Sequence, residues 1–183
     1  VSCLVGSEMC IRDRLNKNKA LTFFRRNEKE TKEHNMIVDM ERNDLSKICK
    51  TGSVKIDKLK KVEEYRDLFH YVTTIKGVIK NKMSNHDIIS SLMPGGSVIG
   101  CPKISTIQLL NRKEKFDRNI YTGSFGIIHS NGDMRFNIMI RTLLNFKNDI
   151  ELSVASGVIL GSTAKKEYNE NYIKAKSLLD LFN

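Results

Sequence analysis

The sequence predicts an α+β fold, and three observations carry that prediction. A helical apolar period runs from about Asn27 to Cys49. Runs rich in β-branched and aromatic residues, at 68–80, 134–146 and 150–159, have the character of strands. Between two apolar runs stands Asn131-Gly132, a hairpin turn signal, which argues against a simple parallel, doubly wound sheet.

Taken in order, the first helix has Met36, Ile37, Met40, Leu45 and Ile48 as its apolar stripe. Gly52 breaks it, and a strand begins at about Val54. The run 68–80 follows as a second strand. Ser84 is placed to cap a short helix through "NHDIISSLM". "PGGSVIGCP" (94–102) reads as a glycine-rich loop, with Pro102 at the first position of a helix through Leu110. "YTGSFGII" and 134–146 form the hairpin, 150–159 is a further strand, and Ser162 or Thr163 caps a last helix to about Leu181. No repeat or linker interrupts the run, so one α+β unit is expected.

The 183 residues give room for one domain with a real core. Hydrophobic content of 40% and charged content of 28% exclude a disulfide scaffold, a collagen-like chain and a wholly disordered one. No apolar run reaches the roughly 18–20 residues of a membrane helix. The net charge of +10 suggests an acidic partner. The basic residues are dispersed among acids, however, and no DNA- or RNA-binding motif is present, so no nucleic-acid partner is expected. Residues 1–14, "VSCLVGSEMCIRDR", fit neither a secretory signal nor the pattern of the remaining chain. They resemble a translated sequencing adapter and are expected to be a non-native leader ahead of 15–183. Cys49 and Cys101 then remain, without paired or metal-ligand spacing, as in a reducing cytoplasm.

Several groups can carry chemistry. Glu30 and Glu33 lie three apart on the first helix, and Glu167 and Glu170 repeat the spacing on the last. Each pair shares a helix face, which suits either a hard cation such as Mg²⁺ or a solvated face with Lys partners. In "PGGSVIGCPK", Gly95 and Gly96 permit close backbone approach and Ser97 offers a hydroxyl. Lys103 sits in the first turn of a helix, where a bound anion would compensate its charge. It is not a Walker loop. Arg141 lies within the expected strand 134–146, either on a solvent face or forked onto a ligand carboxylate. His70 is either an acid–base group or a satisfied core histidine, and Tyr121 is open between packing and binding.

In order along the chain, these blocks resemble the chorismate-utilising enzymes, the family that includes the first components of anthranilate synthase and aminodeoxychorismate synthase. "EKETKEHNMIVDMERNDLSKICKTGSVKI" is similar to the family's E-x-x-E-H…VDL-x-RND block. "YRDLFHYVTTIKG" is similar to its histidine strand and "PGGSVIGCPK" to its glycine loop; "YTGSFG", "FNIMIRTL" and "EYNENYIKAKSLL" come next at the expected spacing. The resemblance implies the chorismate-binding fold, with antiparallel sheets packed face to face and helices outside, here as an N-terminally truncated fragment.

By position, the resemblance assigns Glu30, Glu33, Glu167 and Glu170 to Mg²⁺, and His70 to the ring beside the departing hydroxyl. Ser97, with Gly96 and Lys103, falls at the ring carboxylate. Tyr121 and Arg141 fall at the enolpyruvyl carboxylate, with Ser156 and the Gly157 N–H. One departure is Ala155-Ser156-Gly157, where the family has glycine at both ends; the methyl of Ala155 restricts backbone approach. "PGGS", "YTGSFG" and "FNIMIRTL" resemble the aminodeoxychorismate branch more than the anthranilate branch. This implies amination of chorismate, for folate synthesis, with ammonia from a glutamine amidotransferase. The upstream "PIKGT" or "PIAGT" motif that separates the branches lies outside this sequence, and these residues alone are expected to be inactive.

Overall fold

A computed structural model describes residues 2–7, 22, 26–64 and 69–182. The chain divides into two compact units, Val1–Leu92 and Met93–Asn183, where the sequence suggested one. No glycine- or proline-rich linker marks the division, which is why composition did not reveal it.

In the first unit, β1 (Ser2–Ser7) precedes α1 (Glu28–Ile48), β2 (Lys55–Glu64), β3 (Phe69–Lys76) and α2 (Asn85–Leu92). The sheet order is β1-β3-β2, antiparallel throughout. β1 falls within the segment read as a leader, and its backbone pairs with β3 from Ser2↔Lys76 to Ser7↔Tyr71. β3 is central, and Tyr71, Val72, Thr73 and Ile75 are all buried, as a strand covered on both faces requires. β2 carries Lys55, Lys58, Lys60 and Lys61. Register shifts interrupt its pairing on both sides of Lys58, and Lys60 has φ +49°, as suits a bulged edge strand.

α1 buries Ile37, Val38, Leu45 and Ile48 together with His34, Glu41 and Asp44. The buried positions recur every three or four residues, as a helix dictates. The expected stripe is corrected at Met36, which is 41% exposed. Hydrophobicity alone tilts the stripe toward Met36 because it cannot see that three polar residues occupy the inner face. Cys49 and Gly77 close the far end: a methyl at Gly77 would come within 2.5 Å of Cys49 Sγ, and an isolated bridge joins Cys49 to Ile79. α2 starts as expected. Ser84 Oγ accepts the Asp87 N–H at 3.1 Å while Asp87 Oδ2 accepts the Ser84 N–H at 3.1 Å, a reciprocal cap.

The second unit holds α3 (Gly96–Ile99), α4 (Lys103–Lys113), β4 (Ser124–Ile128), β5 (Met134–Ile138), β6 (Leu143–Asn145), β7 (Ile150–Leu152) and α5 (Ala164–Leu179). A 3₁₀ turn, Asp180–Phe182, ends it. The glycine-rich loop is thus partly a helical turn, and Pro102 is the N-cap of α4 rather than its first residue. β4 and β5 form the expected hairpin. Its turn is longer than Asn131-Gly132: His129 N–H bonds Asp133 O at 2.7 Å, and Gly132 takes φ +88°. The expected strand 134–146 is two strands, broken at Arg141, whose φ is +49°. The expected strand 150–159 stops at Leu152. Thr163 is the N-cap of α5 but its hydroxyl makes no cap bond; the Ser162 hydroxyl instead accepts the Ile159 N–H at 3.1 Å. No described helix is long and apolar enough to cross a membrane.

Candidate functional site

The first unit holds three of the candidates. Glu30 lies in the first turn of α1 and His70 on β3, where its backbone pairs with Glu63; both side chains lie outside the described residues. Glu33, half-buried, is followed by His34, the fully buried residue that fixes this end of α1 to the sheet. His34 Nε2 is 2.7 Å from Thr73 Oγ1, and the imidazole sits 5.1 Å from the Tyr71 ring at a 48° tilt. Thr73 Oγ1 also accepts the Lys60 N–H at 3.0 Å, so one hydroxyl holds the helix and the bulge of β2 together. Burial, with the charge of Lys60 adding to it, lowers the His34 pKa to about 4. The imidazole is neutral at physiological pH and adds no charge beside Glu33. The sequence shows His34 one step past Glu33, but its polar neighbours, Glu33 and Asn35, give no apolar signal of its burial.

The second unit holds the rest. Gly96 is buried and Ser97 exposed on α3; Lys103, half-buried, is the first residue of α4. A methyl at Gly95 would approach Ile138 Cδ1 to 3.2 Å, so the glycine lets this segment lie close to β5. β4 and β5 pair Ser124 with Ile138 through Ile128 with Met134. Beyond the ladder, Thr122 N–H bonds Met139 O and Met139 N–H bonds Gly123 O, each at 2.9 Å. Both bonds meet at Met139, so Thr122 and Gly123 together oppose it and the regular register ends in a bulge; Tyr121 and Arg141 lie just beyond, on the two chains leaving the open end of the hairpin. Both are half-buried. The left-handed backbone at Thr122 and Arg141, φ +64° and +49°, turns the chain out of the sheet at this point. An arginine and a phenol at one sheet end can grip a single carboxylate, with the guanidinium forked onto its two oxygens.

The segment 153–159 is irregular and leans on α5. Ser156 Oγ donates toward Asn171 Oδ1 at 2.6 Å and Glu167 O at 3.1 Å. Lys174 Nζ donates to Ala155 O at 3.3 Å and pairs with Glu170 at 2.8 Å. Thus the Ser156 hydroxyl proton is committed to α5, and the loop that presents the Gly157 N–H is tied to the helix bearing Glu167 and Glu170. Glu167 is 8% exposed, in the first turn of α5, where the helix dipole favours an anion. Among the described residues, no three His, Cys, Asp or Glu side chains gather to hold a metal ion. Cys49 is a buried free thiol, pushed up in pKa by that burial, and Cys101 is exposed and free.

Residues 6–180 match the family model for chorismate binding enzymes. An anthranilate synthase component I-like protein of Synechocystis is 38% identical over 84% of this chain and 32% of its own length. The aminodeoxychorismate synthase component 1 of Bacillus subtilis is 38% identical over 81% of this chain and 32% of its own. Among solved structures, anthranilate synthase component I from Streptococcus pneumoniae superposes with a TM-score of 0.79 at 33% identity, over 96% of this chain and 39% of that one. The menaquinone-specific isochorismate synthase of Escherichia coli shares the fold, with a TM-score of 0.84 at 22% identity over 100% of this chain and 42% of that one. The chain spans about a third of the length of these curated relatives. It belongs to the chorismate-binding enzyme family and has that family's fold.

Proposed function

We propose that this member of the chorismate-binding enzyme family is the C-terminal catalytic part of an aminodeoxychorismate synthase component I. The reaction replaces the ring hydroxyl of chorismate with an amine from ammonia, giving 4-amino-4-deoxychorismate and water. The ring C–O bond breaks as a C–N bond forms; ammonia loses a proton and the departing hydroxyl gains one. Ammonia would come from a glutamine amidotransferase subunit or domain.

The observation that carries the reading is that Tyr121 and Arg141 both lie at the open end of the β4–β5 hairpin. Chorismate has two carboxylates, and this pair grips the enolpyruvyl one. The Gly157 N–H completes that grip from a loop tied to α5 by Ser156. The other carboxylate lies toward Ser97, Gly96 and Lys103. His70, a residue of β3, would supply a proton to the leaving hydroxyl.

Glu30, Glu33, Glu167 and Glu170 would hold Mg²⁺. Their all-oxygen chemistry fits a hard cation, and a carboxylate as buried as Glu167 is made less costly by a nearby positive charge. When bound, the ion supplies positive charge to the ring carboxylate and so stabilises loss of the hydroxyl.

Anthranilate synthase is the second reading, since a relative of that name matches at the same 38% identity as the aminodeoxychorismate enzyme. "PGGS", "YTGSFG" and "FNIMIRTL" favour the first. Arg141→Gln in the complete gene product tests the shared part of both readings. The chorismate KM should rise about a hundredfold as the forked pair is lost; an unchanged KM rejects the grip.

A further inference from the structure

We propose that Arg118 is a positioning residue that locks the glycine-rich segment and the Tyr121 turn into one substrate-gripping body. The inference rests on the reading above, in which Ser97 and Tyr121 touch chorismate.

Arg118 lies just past the C-terminal end of α4 and is only 22% exposed. Its guanidinium takes Glu114 as a fork, with Nε 2.8 Å from Oε2 and Nη2 2.5 Å from Oε1. Nη1 reaches two further acceptors, Val98 O at 3.3 Å and Thr122 Oγ1 at 3.2 Å. The charge also lies 5.8 Å from the centre of the Tyr121 ring, within cation–π range. Thr122 in turn donates its hydroxyl to Tyr121 O at 2.6 Å, which leaves its oxygen free to accept from Arg118.

Val98 is the residue after Ser97, and Thr122 the residue after Tyr121. One planar cation therefore spans two segments that the sequence separates by more than twenty residues, and each segment carries a candidate substrate contact. An isolated, exposed i,i+4 ion pair would contribute little. This one differs because the fork onto Glu114 fixes the guanidinium plane, and that plane aims Nη1 at the other two acceptors. The pair also holds its charges firmly: hydrogen bonding to Arg118 lowers the Glu114 pKa, and the same bond raises that of Arg118. Lysine is no substitute, since a point charge cannot make the fork and reach Val98 and Thr122 together.

The test uses the complete gene product with Mg²⁺ and four forms: wild type, Arg118→Lys, Arg118→Met and Ser97→Ala. Amide hydrogen exchange of residues 96–100 and 120–124 is measured beside chorismate steady-state kinetics. Both Arg118 variants should speed exchange in the two segments together and raise KM about tenfold, with kcat within about threefold of wild type. Lysine should recover stability better than methionine without recovering KM. Unchanged exchange in either segment overturns the proposal, and so does faster exchange with an unchanged KM. If Ser97→Ala also leaves KM unchanged, the fault lies in the reading of Ser97 as a substrate contact. Should Ser97→Ala raise KM while Arg118→Met does not, that reading stands and the positioning role alone fails.

Discussion

Thr73 on β3 and His34 on α1, distant in sequence, meet at 2.7 Å in the core of the first unit, where both are fully buried. The same Thr73 hydroxyl accepts the Lys60 N–H. A single oxygen thereby joins the helix that carries Glu30 and Glu33 to the central strand and to the bulge of the edge strand.

Thr73→Val keeps the shape and removes that oxygen, leaving the buried His34 Nε2 and the half-buried Lys60 N–H without this partner. Unfolding in urea should show a loss of about 2 kcal/mol, while Thr73→Ser, which keeps the hydroxyl, should lose less than half of that. Equal loss in the two variants would mean that packing of the methyl, and not the hydrogen bonds, holds this contact.

Ser156 and Asn171 should behave as one unit. Their contact of 2.6 Å ties the loop 153–159 to α5. Ser156→Ala and Asn171→Ala should each destabilise by about 1 kcal/mol, and the double variant by clearly less than the sum. Additive effects in a double-mutant cycle would show that the two side chains are not coupled.

Asp87 gives a pH signature at the cap of α2. Its side-chain hydrogen bond with Ser84 lowers its pKa, and the backbone bond from Ser84 adds to this. A carboxylate with a lowered folded pKa stabilises fully above its unfolded value and loses that contribution as pH falls through the folded one. The cap therefore holds through neutral and mildly acidic pH and opens in acid, below the ordinary aspartate range. An NMR titration should find Asp87 below that range and moved back toward it in Ser84→Ala. Identical titration in both proteins would contradict the cap.

Glu170→Gln separates the proposed metal role from structure. The Glu170–Lys174 pair is 46% exposed on the acid side, so its loss should cost under about 1 kcal/mol in stability. Mg²⁺-dependent turnover of chorismate by the complete gene product should nevertheless fall by at least about a hundredfold. Retained turnover would reject Glu170 as a ligand.

Much of this was legible in the residues, and the exceptions have physical causes. The extent of α1 followed from its 3.6-residue period, and the cap at Ser84 from its hydroxyl; the reciprocal part of Asp87 came from the structure. The inner face of α1 was misjudged because His34, Glu41 and Asp44 are buried polar residues, invisible to a hydrophobic period. The strand 134–146 read as continuous because alternation does not report a left-handed residue, and Arg141 supplies one. Tyr121 and Arg141 were brought together only by the resemblance; the hairpin places both at its open end, which no local pattern foretells. Arg118 was missed altogether. Its one local signal is Glu114 four residues before it, whereas its contact with Val98 depends on the fold.

The central claim is that these residues belong to an enzyme that aminates chorismate without removing its enolpyruvyl group. It is tested most directly by incubating the complete gene product with chorismate, ammonia and Mg²⁺ and identifying the product by mass and absorbance. The expected product is 4-amino-4-deoxychorismate, formed only when Mg²⁺ is present. Anthranilate, isochorismate or unreacted chorismate would contradict it.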